Sequence, residues 1–188
     1  MMKALILSSD NFEDSELLVP YYRLLESGYG VEICSGKRGA IHGMHGYEVQ
    51  SEKGFAEVNP ADYDVLILPG GKAPAAIRDN PKVQEIATHF MTNAKPVGAI
   101  CHGPQTLISA GLLKGRRATC YQTVAKEMQE AGALYEDREV VVDGHLVTSR
   151  QPADLPAFMR ELMRLLSHIR ASAPDEYWGE DTTIVRKP

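Results

Sequence analysis

Residues 96–105, PVGAICHGPQ, decide the fold of this chain because they join an apolar strand to a helix through a cysteine. The run from Pro96 to Ile100 is uniformly apolar, as in a buried parallel strand, and apolar residues recur at helical spacing from Thr106 onward. Cys101 therefore lies at the turn, where its side chain points out of the carboxyl end of the sheet. The free N–H groups and positive dipole end of the following helix predict a thiol that ionises readily.

The alternative interpretation of Cys101 is a small apolar side chain at a strand end, because free cysteines are often simply buried. The other two cysteines, Cys34 and Cys120, lack a glycine-rich turn and a helix start, so we interpret both as inert core residues. Three cysteines without a CxxC spacing do not predict a disulfide framework or a zinc site. They favour a reducing compartment and a cytoplasmic location.

The composition of the 188-residue chain predicts one folded domain, since it is 44% hydrophobic and too short for two ordinary cores. We assign this domain to residues 1–170 and a C-terminal extension to 171–188, where Tyr177 and Trp178 could pack on the body or on a neighbour. The short apolar N-terminus is typical of a first strand, and no segment approaches the ~20 apolar residues of a membrane span. A net charge of −5 without a lysine or arginine run predicts no nucleic-acid partner.

Strand-like and helical apolar patterns alternate along the first half of the chain. This alternation predicts an α/β fold in which helices cover both faces of a mostly parallel sheet. Residues 36–55 interrupt this alternation, contain five glycines, and predict a short pair of strands. Asp143 and Gly144, between two β-rich runs, predict a two-residue hairpin at the sheet edge. Apolar residues that recur from Leu155 to Ile169 predict a long amphipathic helix.

One predicted strand end carries a carboxylic acid that could act on the thiol. The loops at the carboxyl ends of parallel strands meet at one edge of a sheet, so Glu13, after the first strand, could approach Cys101. It would accept the thiol proton or, when protonated, stabilise the thiolate. The alternative is that Glu13 only favours the helix dipole, with Asp14 and Glu16 as solvated neighbours.

The remaining candidate residues are glycines and histidines. Gly70 and Gly71 could offer backbone N–H donors to a reacting carbonyl, together with the N–H of His102, or they could form an ordinary turn. The His102 side chain could act as an acid or base, or it could be a packing residue whose ring points away from its neighbour. We interpret His42 and His45 as loop residues, and we predict no metal and no cofactor because no carboxylate or thiol stands beside them at ligand spacing.

Together these residues resemble the ThiJ/PfpI superfamily, the class I glutamine amidotransferase-like group that includes PfpI intracellular proteases and the Parkinson-linked deglycase. The resemblance is carried by DNFEDSELLVP, DVLILPGG, AICHGPQTLISAGLLKGRRAT and VVVDGHLVTSRQPADLPAF, and it covers nearly the whole chain. It implies a flavodoxin-like three-layer α/β/α sandwich with Cys101 as a strained nucleophile at a strand-to-helix elbow, Glu13 as its carboxyl partner and His102 as the adjacent acid or base. It also implies Gly71 in an oxyanion hole, Tyr121 near the thiol, and a homodimer or higher homo-oligomer.

The chain departs from this resemblance at Ala75, where hexameric proteases of the family supply a glutamate across a subunit contact to orient the histidine. Without that orienter a protease triad is incomplete. We therefore expect a stress-protective enzyme in which the Cys101 thiolate attacks small reactive carbonyls or their adducts, as a glyoxalase or deglycase would. The alternatives are an intracellular cysteine peptidase or amidase with a peptide-like substrate, and a non-enzymatic redox sensor or chaperone that uses Cys101 oxidation.

Overall fold

The computed structural model describes residues 1–172, so the predicted packing of Tyr177 and Trp178 lies outside the described residues. Its helices are α1 (Asp14–Glu26), α2 (Ala73–Ile77), α3 (Pro81–Thr92), α4 (Pro104–Ser109), α5 (Ala125–Glu130) and α6 (Leu155–Ser172). Short 3-10 helices occupy Phe55–Glu57, Pro60–Asp62, Gln122–Val124 and Pro152–Asp154. The helices alternate with strands along most of the chain, as the apolar patterns predict.

The strands form one large sheet and two small ones. They are β1 (Lys3–Leu7), β2 (Gly30–Ser35), β3 (Gly39–His42), β4 (Glu48–Ser51), β5 (Lys53–Gly54), β6 (Val65–Leu68), β7 (Val97–Ile100), β8 (Arg117–Ala118), β9 (Leu134–Tyr135), β10 (Val140–Asp143) and β11 (Leu146–Ser149). Within residues 1–172, the large sheet has seven strands in the order β10-β11-β7-β6-β1-β2-β5. Its neighbouring strands are parallel except β10 and β11. The predicted mostly parallel α/β fold is therefore confirmed.

Strand β1 shows why helices cover both faces of the sheet. Ala4 and Ile6 belong to a core formed with α1 and α6, whereas Leu5 and Leu7 belong to a second core formed with α3, α4 and α5. All four side chains are at most 1% exposed. Because successive side chains of a strand point to opposite faces, a strand that is covered on both faces must be apolar throughout. Each buried leucine or isoleucine contributes roughly 2 kcal/mol.

Helix α6 is the long amphipathic helix that the spacing of apolar residues predicts. Phe158, Leu162 and Leu166 are at most 1% exposed and lie in the core that α6 shares with α1. In the part of the chain that the structure describes, no helix combines the length and the apolarity needed to cross a bilayer.

The two predicted hairpins are present, one of them shifted by a residue. Strands β3 and β4 form the antiparallel pair expected in residues 36–55. Strands β10 and β11 pair Asp143 with Leu146, so the two-residue loop consists of Gly144 and His145 rather than Asp143 and Gly144. Gly144 has φ 59°, which a tight hairpin turn of this kind requires.

The loops that follow β1, β6 and β7 meet at the carboxyl edge of the sheet, because these three strands are neighbours in it. Phe12, after β1, forms a bridge with Gly71, after β6. The backbone N–H of Lys72 donates to the carbonyl of Asn11 at 2.8 Å. These contacts hold the first two loops beside Cys101, which ends the third strand.

Candidate active site

Cys101 follows β7 in a left-handed backbone conformation, with φ 62°. This conformation is strained for a residue with a side chain. The Cys101 N–H donates to the carbonyl of Ser149 at 3.0 Å, and its own carbonyl accepts from the N–H of Tyr121 at 2.9 Å. Helix α4 begins at Pro104, so the strained residue occupies the strand-to-helix elbow that the sequence predicts.

Three nitrogen atoms that can form hydrogen bonds lie around the sulfur of Cys101. The backbone N–H groups of Gly71 and His102 both donate toward it, and Nδ1 of the His102 ring lies 3.2 Å from Sγ. The objection that neighbouring side chains on a helix point apart does not apply, because Cys101 lies before the helix in a left-handed conformation. The residue is only 6% exposed. The histidine is thus within proton-transfer distance of the thiol.

Gly70 does not supply the donor that the sequence suggested for it. Its N–H donates to Oε2 of Glu16 at 2.8 Å, so Gly71 is the member of the pair whose N–H faces the sulfur. A side chain on Gly70 would place its Cβ 2.6 Å from the Cβ of Cys101. Gly71 has φ 81°, which also favours glycine. The glycine pair therefore lets this loop approach the elbow closely.

The carboxyl group beside the thiol belongs to Glu16 rather than to Glu13. Glu16 is fully buried, and its carboxyl interacts with Cys101. Glu13 precedes α1, and its carboxylate accepts a hydrogen bond from Ser15 Oγ at 3.0 Å and lies 3.0 Å from Nε2 of His45. Both acids line one cavity, but Glu16 lies one helical turn later, on the buried face of α1. The structure thus gives Glu16 the place that the sequence analysis assigned to Glu13.

Asp14 is not a solvated neighbour either. It is 9% exposed, and its two carboxylate oxygens accept the backbone N–H groups of His45 and Tyr47, each at 2.9 Å. These bonds fix the turn between β3 and β4 against the start of α1. The same turn brings Met44 to the wall of the cavity. Asp14 therefore positions one wall of the cavity through its hydrogen bonds to this turn.

Burial sets the protonation of the three reactive groups. It raises the pKa of Glu16 from its ordinary value of 4.5 to about 8, against the opposing effect of the hydrogen bond from Gly70. Burial, and then the charge of Glu16, raise the pKa of the Cys101 thiol, while the N–H groups of Gly71 and His102 lower it. Burial lowers the pKa of the His102 imidazole. At neutral pH the site therefore holds a carboxylic acid, a thiol and a neutral imidazole.

This result differs from the prediction that the thiol ionises readily. The donors that lower the pKa of Cys101 are the N–H groups of Gly71 and His102 rather than those of α4, which begins at Pro104, and burial has the larger effect. Among residues 1–172, the Cys101 thiol is the one group that interacts with the Glu16 carboxyl besides the Gly70 N–H and the Glu13 charge, and Oε1 has no further partner. A thiol is a weak donor and compensates an ionised carboxylate poorly, which favours the neutral form of Glu16. The thiol must lose its proton during the reaction, and Nδ1 of His102 is an acceptor within reach.

The thiol opens on a cavity of about 530 Å³. The residues that line it are Glu13, Glu16, Met44, Gly71, Lys72, Ala75, Cys101, His102, Gln105, Tyr121 and Pro152. The ring of Tyr121 lies against that of His102, with centroids 5.1 Å apart. Cys34 and Cys120 are fully buried, and burial raises the pKa of each to about 12. In the described residues, His, Cys, Asp and Glu side chains nowhere gather in threes as metal ligands would.

Sequence reasoning missed Glu16, although the sequence carries a signal for it. Glu16 lies four residues before Pro20 and eight before Leu24, and all three side chains are on the buried face of α1. An acid within such a stripe is unusual, because glutamate is rarely fully buried without a partner. The prediction of Glu13 instead rests on its place in the loop after the first strand and on the family resemblance.

The sequence of this chain is similar to a family model and to known proteins. The family model described as the DJ-1/PfpI family matches residues 2–165. Deglycase PfpI of Pyrococcus furiosus is 54% identical over 165 residues, which are 88% of this chain and 99% of the relative. Protein/nucleic acid deglycase 2 of Escherichia coli is 42% identical over 167 residues, which are 87% of this chain and 97% of the relative.

A solved structure shows the same fold. A two-domain protein of Anabaena variabilis, with a DJ-1/ThiJ/PfpI-like domain and a ferritin-like domain, matches with a TM-score of 0.85 and 34% identity. The match covers 97% of this chain and 52% of that protein, so the chain spans about half of its length. The similarity extends over nearly all of the sheet, the helices and the elbow described above.

Proposed function

This chain belongs to the DJ-1/PfpI family, and from that membership and the pocket around Cys101 we propose a cysteine-dependent enzyme that converts small reactive carbonyls or their adducts, as a deglycase does. The observation that carries the proposal is the strained Cys101, whose sulfur faces two backbone N–H groups and lies 3.2 Å from Nδ1 of His102. A nucleophile, a base and an oxyanion site are the parts that addition to a carbonyl requires.

In the first step, Cys101 adds to the aldehyde carbon of a 2-oxoaldehyde such as methylglyoxal. The thiol proton passes to Nδ1 of His102, the S–C bond forms, and the carbonyl π electrons move to oxygen. The N–H groups of Gly71 and His102 would stabilise this oxyanion. His102 then returns its proton to the oxygen, and the product is a hemithioacetal.

In the second step, a proton moves from the former aldehyde carbon to the neighbouring keto carbon through an enediol, which gives a thioester. The aldehyde carbon is oxidised and the keto carbon is reduced, so no external oxidant is needed. Water hydrolyses the thioester to a 2-hydroxy acid and restores the thiol. When the aldehyde carbon carries an amine as a hemiaminal, the C–N bond breaks first, the hydroxyl re-forms the aldehyde carbonyl, and its proton passes to the nitrogen, so the free amine is released before the thiol adds as above.

In this reaction Glu16 takes the role of carboxyl partner that the sequence predicts for Glu13. As a neutral acid at pH 7, Glu16 donates its O–H to the sulfur while that sulfur is negatively charged, in particular when it leaves the thioester. A carboxylate at the same place would instead repel the developing thiolate. The buried, protonated state of Glu16 thus favours formation and release of the sulfur anion.

The test is turnover of methylglyoxal to lactate by the native protein and its variants. We expect Cys101→Ser to lower the rate roughly a thousandfold or more, as loss of a nucleophile does. Cys34→Ala is the matched control, because it removes a buried thiol that lies outside the cavity. Undiminished conversion by Cys101→Ser would overturn the proposal.

A second function, redox sensing, is supported by the acid next to the thiol. Two equivalents of peroxide, each reduced to water, would convert Cys101 to a sulfinate, whose oxygens could accept the O–H of Glu16 and the N–H of Gly71. If carbonyls do not turn over but peroxide adds two oxygens to Cys101, and Glu16→Gln slows that addition, the sensor function replaces the enzymatic one. Peptidase activity is less favoured, because Ala75 brings no carboxylate to the histidine.

Two features of the proposed enzyme rest on family membership and composition alone. We propose that it acts as a homodimer or higher homo-oligomer, and that it works in the cytoplasm. Sedimentation of the full chain and fractionation of cells that express it would test these two statements. A monomer in solution would exclude the first, and recovery from a secreted or membrane fraction would exclude the second.

A further inference from the structure

We propose that Thr123 is the positioning residue that orients His102 and fixes its tautomer. Thr123 Oγ1 lies 3.4 Å from Nε2 of His102, and Nδ1 on the other side of the same ring lies 3.2 Å from Sγ of Cys101. The imidazole thus spans the distance between a hydroxyl group and the thiol. The inference rests on the proposed function and assigns a role in it to a further residue.

The loop that carries Thr123 is attached to the nucleophile itself. The Tyr121 N–H donates to the carbonyl of Cys101 at 2.9 Å, and the Val124 N–H donates to the carbonyl of Tyr121 at 2.8 Å. The second bond closes the short 3-10 helix Gln122–Val124, which contains Thr123. The position of the hydroxyl relative to the histidine is therefore set by backbone contacts that begin at the elbow.

The ring of Tyr121 restricts the His102 ring from one face. Its centroid lies 5.1 Å from that of the imidazole, and the two planes are tilted by 31°. Stacking of this kind limits how the imidazole can tilt but does not decide which nitrogen carries the proton. That choice depends on the hydrogen-bond partners of the two ring nitrogens.

The hydroxyl of Thr123 stabilises the tautomer that the proposed chemistry needs: the neutral thiol can donate its S–H to Nδ1, so Nε2 carries the ring proton and Thr123 Oγ1 is its acceptor. When Oγ1 accepts a hydrogen bond from Nε2–H, Nδ1 carries a lone pair directed at Sγ and can receive the thiol proton. Thr123 is solvent-exposed, so its own O–H can donate to water while its oxygen accepts from the ring. Burial lowers the pKa of His102, which keeps the ring neutral at pH 7 and makes its tautomer decisive.

No other side chain takes this place in the described part of the chain. Among residues 1–172, Thr123 Oγ1 is the one side-chain hydrogen-bond partner of Nε2 in His102. Ala75 lines the same cavity but offers only a methyl group. A hydroxyl, unlike a carboxylate, orients the ring without stabilising an imidazolium. A histidine paired with a hydroxyl group therefore suits a base that accepts the thiol proton and soon returns it to the substrate oxygen.

The experiment compares the full-length native protein with Thr123→Val and Thr123→Ser. Valine keeps the branched shape and removes the hydroxyl, whereas serine keeps the hydroxyl; because position 123 is exposed, both variants should fold. We expect valine to lower kcat for methylglyoxal about fivefold, or about 1 kcal/mol, with little change in KM. Serine should restore most of the rate. In a His102→Asn background, valine should have no further effect.

A second readout does not depend on turnover. Nitrogen NMR of the labelled His102 ring reports which nitrogen carries the proton, and we expect the Nε2–H tautomer in the native and Thr123→Ser proteins and a mixture in Thr123→Val. An unchanged tautomer in Thr123→Val, or a rate loss that persists in the His102→Asn background, would overturn the role of Thr123 and leave the proposed function standing. If the native protein converts no carbonyl, the proposed function fails, while the NMR comparison still decides whether Thr123 orients the ring.

Discussion

Replacing Glu16 with glutamine should stabilise the folded protein at neutral pH. Burial raises the pKa of this carboxyl from 4.5 to about 8, so the folded chain keeps a proton that the unfolded chain loses above pH 4.5. The group therefore contributes most to stability below pH 4.5, and this contribution is lost as the pH rises through the window from 4.5 to about 8. Glutamine has the shape of the neutral acid and has no such dependence.

The magnitude follows from that window. At pH 7 the folded state holds the acid in its neutral form two and a half pH units above the ordinary pKa, which costs about 3 kcal/mol at about 1.4 kcal/mol per unit. At pH 5 the same cost is below about 1 kcal/mol. Glutamine can also retain the hydrogen bond from the Gly70 N–H, because its Oε1 is an acceptor like the Oε2 of Glu16.

The assay is urea unfolding of the native protein and Glu16→Gln at several pH values between 5 and 8, with the free energies of unfolding compared at each. We expect the variant to be more stable by about 3 kcal/mol at pH 7 and by less than about 1 kcal/mol at pH 5. Glu13→Gln is the matched control, and it should not stabilise, since that carboxylate is hydrogen-bonded to Ser15 and His45. A Glu16→Gln protein that is less stable at pH 7, or a difference that does not change with pH, would refute the reasoning.

Three further predictions concern the loops and the thiol. Asp14→Ala should lower the free energy of unfolding by about 2 kcal/mol, because it leaves the N–H groups of His45 and Tyr47 without their acceptor. Hydrogen exchange at those two amides should accelerate, and unchanged exchange would contradict this prediction. Gly70→Ala should slow alkylation of Cys101 at least about tenfold, because the new Cβ would lie 2.6 Å from the Cβ of Cys101. Gly36→Ala is the control, since a Cβ on Gly36 meets nothing within 4 Å. Equal alkylation rates in the two variants would contradict the close approach of this loop to Cys101. The ultraviolet absorbance of thiolate at pH 7 should be the same in the native protein and in Cys101→Ser, because burial raises the pKa of that thiol; a clear excess in the native protein would mean that the sulfur rests as an anion.

The fold could be predicted from the sequence because its determinants are local. The uniformly apolar run at Val97–Ile100 and the alternation of helical and strand patterns fix a parallel sheet, and Cys101 follows from the point where one pattern replaces the other. The observed hairpin loop, Gly144 and His145, lies one residue after the predicted loop, Asp143 and Gly144, because its exact position depends on the pairing of Asp143 with Leu146 across the two strands.

The sequence does not determine which carboxyl group faces the Cys101 thiol as clearly as it determines the fold. Glu13 and Glu16 are three residues apart, and either could face the thiol, depending on where α1 begins. The helix begins at Asp14, which leaves Glu13 outside it, near His45, and directs Glu16 into the core. The direction in which the pKa of the Cys101 thiol shifts depends on the same detail, because burial beside Glu16 raises this pKa more than the backbone N–H donors lower it.

The contact between Thr123 and His102 is also beyond sequence patterns. It joins residues 21 positions apart through a loop that is held by the carbonyl of Cys101. Nothing in the spacing of these residues indicates that the loop returns to the elbow. Long-range backbone hydrogen bonds of this kind become visible only in the folded structure.

The central claim is that the sulfur of Cys101 forms the covalent bond to the substrate. The most direct measurement is peptide mass spectrometry of the full-length protein after acid quenching during turnover of methylglyoxal. We predict one added dicarbonyl on the peptide that contains Cys101, still present in Cys34→Ala and absent in Cys101→Ser. An adduct confined to other residues, or steady turnover with an unmodified Cys101 at every time point, would contradict the account.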